Sequence, residues 1–224
     1  AWIFTLSANV VYFALSMTHL PLFPLNVVLF PNFPLPLHIF EERYRVMIRR
    51  CIEEGTPFGV VCQHGEHYET VGCTAAIDSV LKEYEDGRMD ILSVGRERFA
   101  IEGVDESDLY LKASVQLLPE PDEPEDEQLV TDAVDALLRY AYYAEMEVDR
   151  DGLRELDARE LSYLLSGIDS LGLQTKQQLL ETDSHGERLR RSVGALQQVT
   201  EQLVLLAQLK KVIGSDVDLG SLNN

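Results

Sequence analysis

Residues 20–51 read LPLFPLNVVLFPNFPLPLHIFEERYRVMIRRC, and two periodicities meet inside them. Up to Phe40, apolar runs are punctuated by Pro21, Pro24, Pro31, Pro34 and Pro36. Proline cannot donate to a β-ladder, so it belongs at strand edges and turns. The stretch therefore reads as short extended pieces, with Asn26–Phe30 as one buried strand and Leu35–Ile39 as another. From Glu41 the period becomes helical. Tyr44, Met47, Ile48, Cys51 and Ile52 share one face, Arg45, Arg49, Arg50 and Glu53 lie largely off it, and Gly55 stands where a left-handed C-terminal residue is wanted.

Downstream, residues 57–118 read as strands: Pro57–Cys62, Val71–Ile77, a hairpin turned at Asp86-Gly87, Arg98–Ile101 and Tyr110–Leu118. Then the composition shifts. Pro119, Pro121 and Pro124 are interleaved with Glu120, Asp122, Glu123, Glu125, Asp126 and Glu127, a stiff, self-repelling linker over 119–128. Beyond it the pattern is helical. Leu129–Glu147 is amphipathic, Asp157-x-x-Glu160 is a capping box, Thr175-x-x-Gln178 opens a short helix, and Ser184-x-x-Glu187 opens the longest. The expected organisation is an apolar extension (1–17), a β lobe (18–118), the linker, a helical lobe (129–213) and a flexible tail (214–224), an α+β chain.

The 224 residues carry 38 Asp+Glu against 19 Lys+Arg, a net charge of −19. Both lobes share it: residues 18–118 hold 9 basic and 16 acidic side chains, residues 119–224 hold 10 and 22. Duplex binding draws its affinity from Lys and Arg on phosphates, so DNA is excluded as a partner and RNA is disfavoured. Cys51, Cys62 and Cys73 form no C-x-x-C pair, which fits neither a zinc knuckle nor a disulfide framework and points to a reducing, cytoplasmic setting. Residues 1–16 carry no charge. Asn9, Ser7 and Ser16 dilute a membrane span, and a secretory signal would need a basic start. We expect Met17 to be the native start and the sixteen residues before it an upstream extension; only if they were native would a membrane partner arise.

The chemistry-bearing motifs are few. There is no G-x-x-x-x-G-K-[ST], no G-x-G-x-x-G, no G-x-S-x-G and no H-E-x-x-H. His64, Glu66 and His67 sit together in a polar loop; they read first as a solvated turn and second as a metal site of an enzyme. Glu147-x-Asp149-x-Asp151-Gly152 imitates half a calcium loop, but Ala158 stands where a bidentate Glu is required. No catalytic set, metal or cofactor is expected.

Taken together, Leu22-Phe23-Pro24-Leu25, Leu29-Phe30-Pro31 and Leu35-x-Leu37-x-Ile39-Phe40-Glu41-x-Arg43-Tyr44 resemble the opening of the Lon protease amino-terminal, substrate-binding domain. Val71-Gly72-Cys73-Thr74-Ala75, Asp86-Gly87-Arg88, Val94-Gly95-Arg96-x-Arg98-Phe99, Leu179-Leu180-Glu181 and Arg188-Leu189 resemble its later motifs in order, with Cys73 at a Ser/Thr position. The resemblance implies a PUA-like β pseudo-barrel followed by a helical bundle. It also implies recognition of unfolded or degron-bearing proteins, or of a protease or chaperone partner, by a module without the ATPase and Ser-Lys peptidase of full-length Lon. Pro24, Phe30, Pro31, Glu41, Arg43, Gly72, Gly95 and Arg98 are expected to be structural: Pro24 and Pro31 end strands, Phe30 packs, Arg43 pairs with a carboxylate. Phe33, Pro34, Leu35, His38, Phe40 and Tyr44 are the candidate peptide-binding residues, an exposed apolar patch beside a sheet edge that lends backbone bonds. A small-molecule or RNA-binding PUA-like protein is the alternative, and self-association through the leucine stripe of the long helix is a further expectation.

Overall fold

The computed structural model describes residues 16–213, with side chains over 19–210; the expected extension through residue 15 and the tail from Gly214 lie outside the described residues. By their contacts the described residues form two units, those up to Pro121 with Lys176–Asp183, and Asp122–Thr175 with those from Ser184 onward.

The first unit is built from β1 (Ser16–Leu25), β2 (Pro34–Ile39), α1 (Glu42–Glu54), β3 (Phe58–His64), β4 (His67–Glu83), β5 (Met89–Asp105) and β6 (Lys112–Leu117). The sheet order is β2-β5-β4-β3-β1-β6, and β6 also pairs with β5, so five strands close on themselves with β2 attached outside. Only β1–β3 is parallel among these pairs. Strand β5 makes the arrangement work: Met89–Val94 pairs with β2, and Phe99–Asp105 with β6. Two apolar clusters fill the unit. In one, Tyr44, Met47, Ile48 and Cys51 of α1 pack with Phe23, Phe58, Ala75 and Ile91; in the other, Leu20 and Leu22 meet Val61, Phe99 and Val115. Ile52, expected on the buried face of α1, is 41% exposed.

The proline-rich opening is arranged differently from the sequence reading. Asn26–Phe30 is loop, not strand, and the strand is β1, which runs through Pro21 and Pro24. Both prolines are tolerated because β1 changes partner along its length, Ser16–Pro21 pairing with β6 and Leu22–Leu25 with β3, with the Leu22 amide still bonded to the Leu111 carbonyl (2.8 Å). Leu29 and Phe30 are nevertheless buried. Two glycines permit close backbone approach. A Cβ on Gly95 would lie 2.1 Å from the Phe30 carbonyl oxygen, and one on Gly72 2.4 Å from that of Val60.

The second unit packs α2 (Glu127–Tyr143), α3 (Arg150–Glu155), α4 (Ala158–Ser166) and α6 (His185–Ile213). Ala133, Leu137, Leu153, Leu161, Leu165, Leu189 and Leu196 form its core. Helix α2 ends four residues before the expected Glu147, because Glu145 turns left-handed (φ 55°) while Ala144 and Met146 close the end on Tyr140 and Ala141 carbonyls. The acidic stretch around Asp149 opens a short helix, capped by the Asp149 carboxylate. A polar seam crosses the core: Arg188 donates from Nε to Ser162 Oγ (2.9 Å) and lies 3.9 Å from the Tyr163 ring centre.

The acidic segment before α2 is not self-repelling spacer throughout. Glu123 Oε2 accepts from Ser184 Oγ (2.9 Å) and the Gly186 amide at the start of α6; Glu125 accepts from the Ala158 amide at the start of α4; Asp126 caps α2 itself through the Leu129 amide. Three acids thus satisfy orphan N–H groups at three helix N-termini, where the helix dipole favours negative charge. Helix α5 (Leu173–Leu180) leads into the segment Lys176–Asp183 of the first unit, where Gln177 donates to the Val71 carbonyl (3.0 Å).

Candidate functional site

The outer strand β2 decides what this surface can present. The Gly95 amide donates to the Phe33 carbonyl (2.9 Å), which sets the ladder's phase. Leu35, Leu37 and Ile39 then exchange bonds with Ser93, Ile91 and Met89 of β5, and Pro34, Pro36 and His38 turn their main chain outward. Two of these three have no N–H, so the outward edge keeps a single donor, on His38. The edge expected to lend backbone bonds is therefore largely closed to strand addition, and what it offers is side chains.

Those side chains form an aromatic patch. His38 faces Asp90 across the pair, Nδ1 to Oδ1 2.5 Å, and Tyr84 donates to Asp90 Oδ2 at 2.8 Å. The bonds from His38 and then Tyr84 hold the Asp90 carboxyl below its usual range. With its ring so oriented, His38 stacks near Phe40 (centroids 6.0 Å) and meets Tyr84 edge-on (5.8 Å). Lys82 and Arg88 place cations 4.4 and 5.0 Å from the Tyr84 ring centre. Phe40 is 61% exposed, with much of its ring open to water beside His38.

The six candidate residues do not form one surface. Pro34, His38 and Phe40 are exposed, Phe33 and Leu35 are half-buried against the core, and Tyr44 is buried. Tyr44 stacks on Phe23 at 4.1 Å, lies beneath the Arg43 guanidinium, and has its hydroxyl pKa raised by desolvation. Arg43 in turn donates to Glu41. Tyr84, Lys82, Arg88 and Asp90 were not anticipated. The Asp86-Gly87 turn gives the hairpin register that presents them, but nothing in the sequence says that β2 pairs with that hairpin.

Elsewhere, His64 and His67 face each other across the β3–β4 turn, and among the described residues no three His, Cys, Asp or Glu side chains gather closely enough to hold a metal ion. A cavity of about 530 Å³ lies beside Arg50, Tyr110 and Lys112, but Arg50 is paired with Glu54 and Lys112 with Asp108. No described helix is long and apolar enough to cross a membrane.

Residues 19–198 match the profile of the ATP-dependent protease La (LON) substrate-binding domain. The chain is 29% identical over 225 residues to Lon protease 2 of Herpetosiphon aurantiacus, covering 92% of this chain and 27% of that protein. It is 28% identical over 217 residues to the Lon protease of Parabacteroides distasonis, covering 89% and 26%. It thus spans about a quarter of the length of these curated relatives. A Lon N-terminal domain protein from Xanthomonas campestris superposes with TM-score 0.65 at 24% identity, over 80% of this chain and 98% of the other. The N-terminal domain of a Mycobacterium avium complex Lon protease superposes with TM-score 0.59 at 19% identity, over 81% and 98%. At these identities the likeness establishes the fold.

Proposed function

The chain belongs to the Lon substrate-binding domain family, and from that premise we propose that it is a non-catalytic module that grips exposed apolar segments of client proteins, on its own or as an adaptor. The observation that carries this reading is the aromatic cluster formed by exposed His38 on the outer strand, exposed Phe40 just past its end and half-buried Tyr84 of the β4–β5 hairpin. Aromatic rings held in place by packing bury large area at low entropic cost, which suits contact with many apolar sequences. Proline at two outward positions of β2 lets side chains recognise the client without recruiting its backbone into the sheet.

An array of short peptides tiling an unfolded protein tests the reading. The chain should mark apolar tiles, without nucleotide, and Phe40→Asp should weaken the marks with little change in folding, since the side chain is exposed. Phe33→Asp should weaken them as well, with some loss of stability. Uniform or absent marking, or marking indifferent to both changes, would count against the patch.

A further inference from the structure

A second strand edge is open, and its chemistry differs from that of β2. Strand β5 lies between β2 and β4, and its residues serve them alternately: Met89, Ile91 and Ser93 bond to β2, so Asp90, Leu92 and Val94 bond to β4. Their β4 partners are Lys82, Ser79 and Ala76. Ile77, Val80 and Glu83, opposite Ser93, Ile91 and Met89, therefore turn their N–H and C=O groups away from β5. Up to Ala75 that side is taken by β3, which starts at Phe58. Beyond Phe58 the next main-chain amide that would face β4 is that of Thr56, and it donates instead to the Cys51 carbonyl at the end of α1 (3.0 Å). Among the described residues no strand pairs with this side of β4 from Ala76 to Glu83.

Across from that edge stands the last turn of α1, and the gap is a cavity of about 390 Å³. Ile52 and Val80, 41% and 45% exposed, give it apolar walls, with Ile77 between them. Its charged lining is Asp78 and Glu97 against Arg96, with Thr56, Thr74 and Ser79 as neutral polar groups. The last turn of α1 stands at the negative end of the helix dipole and carries Glu53, while its Glu54 is paired with Arg50 (2.8 Å). At the Glu83 end of this stretch Arg49 of α1 pairs with Glu83 (3.1 Å), an exposed ion pair that parts easily in water.

We propose that an extended client segment, apolar and carrying a basic residue, adds as a strand to β4 along Ile77–Glu83, its side chains entering the cavity beside α1. The unpaired main chain calls for another polypeptide backbone, the walls for an apolar side chain, and the carboxylates for a cation. The inference rests on the client-binding reading and adds to it a second site, with its own peptide chemistry.

The test uses the full chain and a short fluorescein-labelled peptide alternating valine and lysine, followed by anisotropy. Val80→Pro removes an outward N–H that the β4–β5 ladder does not use, and Ile52→Asp charges an exposed wall position. Each should weaken binding about tenfold or more, as should N-methylation of alternate peptide amides. Exchange of the Ile77 and Val80 amides should slow on saturation. Undiminished binding by both variants, or amide protection at His38 instead, would overturn this site while leaving the client-binding reading intact. Failure to bind this peptide and every unfolded chain would overturn both.

Discussion

Arg98 of β5 donates from Nη1 to the carbonyl oxygen of Leu180, 2.8 Å away and 82 residues later in the chain. The same guanidinium bonds to the Thr182 carbonyl and Asp183, and its Nε faces Glu120 at 3.4 Å. Arg98 is 1% exposed, so a charge inside the first unit is matched by two carbonyls and two carboxylates that close on it from 119–121 and 176–183. A planar five-donor fork can do this; a lysine cannot reach as many acceptors.

Arg98→Met should therefore cost about 3–5 kcal/mol, because it strands buried acceptors rather than removing a neutral contact. Arg98→Lys should recover only part of that. Urea unfolding reads both, and a loss below about 1 kcal/mol for Arg98→Met would contradict the clamp.

Gly95→Ala tests the close approach of β5 to the Pro-rich loop. The Phe30 carbonyl 2.1 Å from the new Cβ is backbone, pinned by the Asn32–Gly95 and Gly95–Phe33 bonds, and cannot step aside alone. A destabilisation of about 2–3 kcal/mol is expected in thermal or urea unfolding. Tolerance of alanine would mean that the loop and strand are farther apart.

The acidic caps make a prediction about pH. The hydrogen bond from Ser184, with the Gly186 amide, holds the Glu123 carboxyl below its ordinary value of 4.5. A carboxyl lowered in the folded state adds stability above its unfolded value and loses it as pH falls through the folded one. The melting temperature should fall as pH drops past about 4.5, and Glu123→Gln should flatten that fall. An identical pH profile for both proteins would show that the cap adds nothing.

Burial pushes the Cys51 thiol up to about 11 and the Cys73 thiol to about 12. Cys62 is also raised, again by desolvation. At about pH 8 Cys51 and Cys73 should react with a thiol reagent at least a hundredfold more slowly than free cysteine, since the thiolate is the nucleophile, and Cys62 should also be slowed. Unfolding should restore three reactive thiols. Rapid labelling of the native chain would place a thiol at the surface.

Much of the fold was legible because local rules acted alone. The helical face of Tyr44, Met47, Ile48 and Cys51, the left-handed Gly55, the Asp86-Gly87 hairpin and the Asp157–Glu160 capping box all depend on neighbours within a few residues. What misled was long-range. Asn26–Phe30 looks like a buried strand by composition, yet Leu29 and Phe30 are buried as loop, while β1 carries prolines that only its alternating partners make tolerable. The acids at Glu123 and Glu125 look like a solvated run until the helix ends they cap are known. At the candidate site, Phe40 and His38 could be picked from their motif. Tyr84 and Asp90 could not, because the β2–β5 register that places them beside His38 is written in no short stretch of sequence.

The client-binding account is tested most directly by titrating the chain, without nucleotide, into a fluorescent protein held permanently unfolded, with the same protein folded as control. The account predicts saturable binding to the unfolded form, weakened by Phe40→Asp, and none to the folded form. Equal binding to both forms, or none to either, would contradict it.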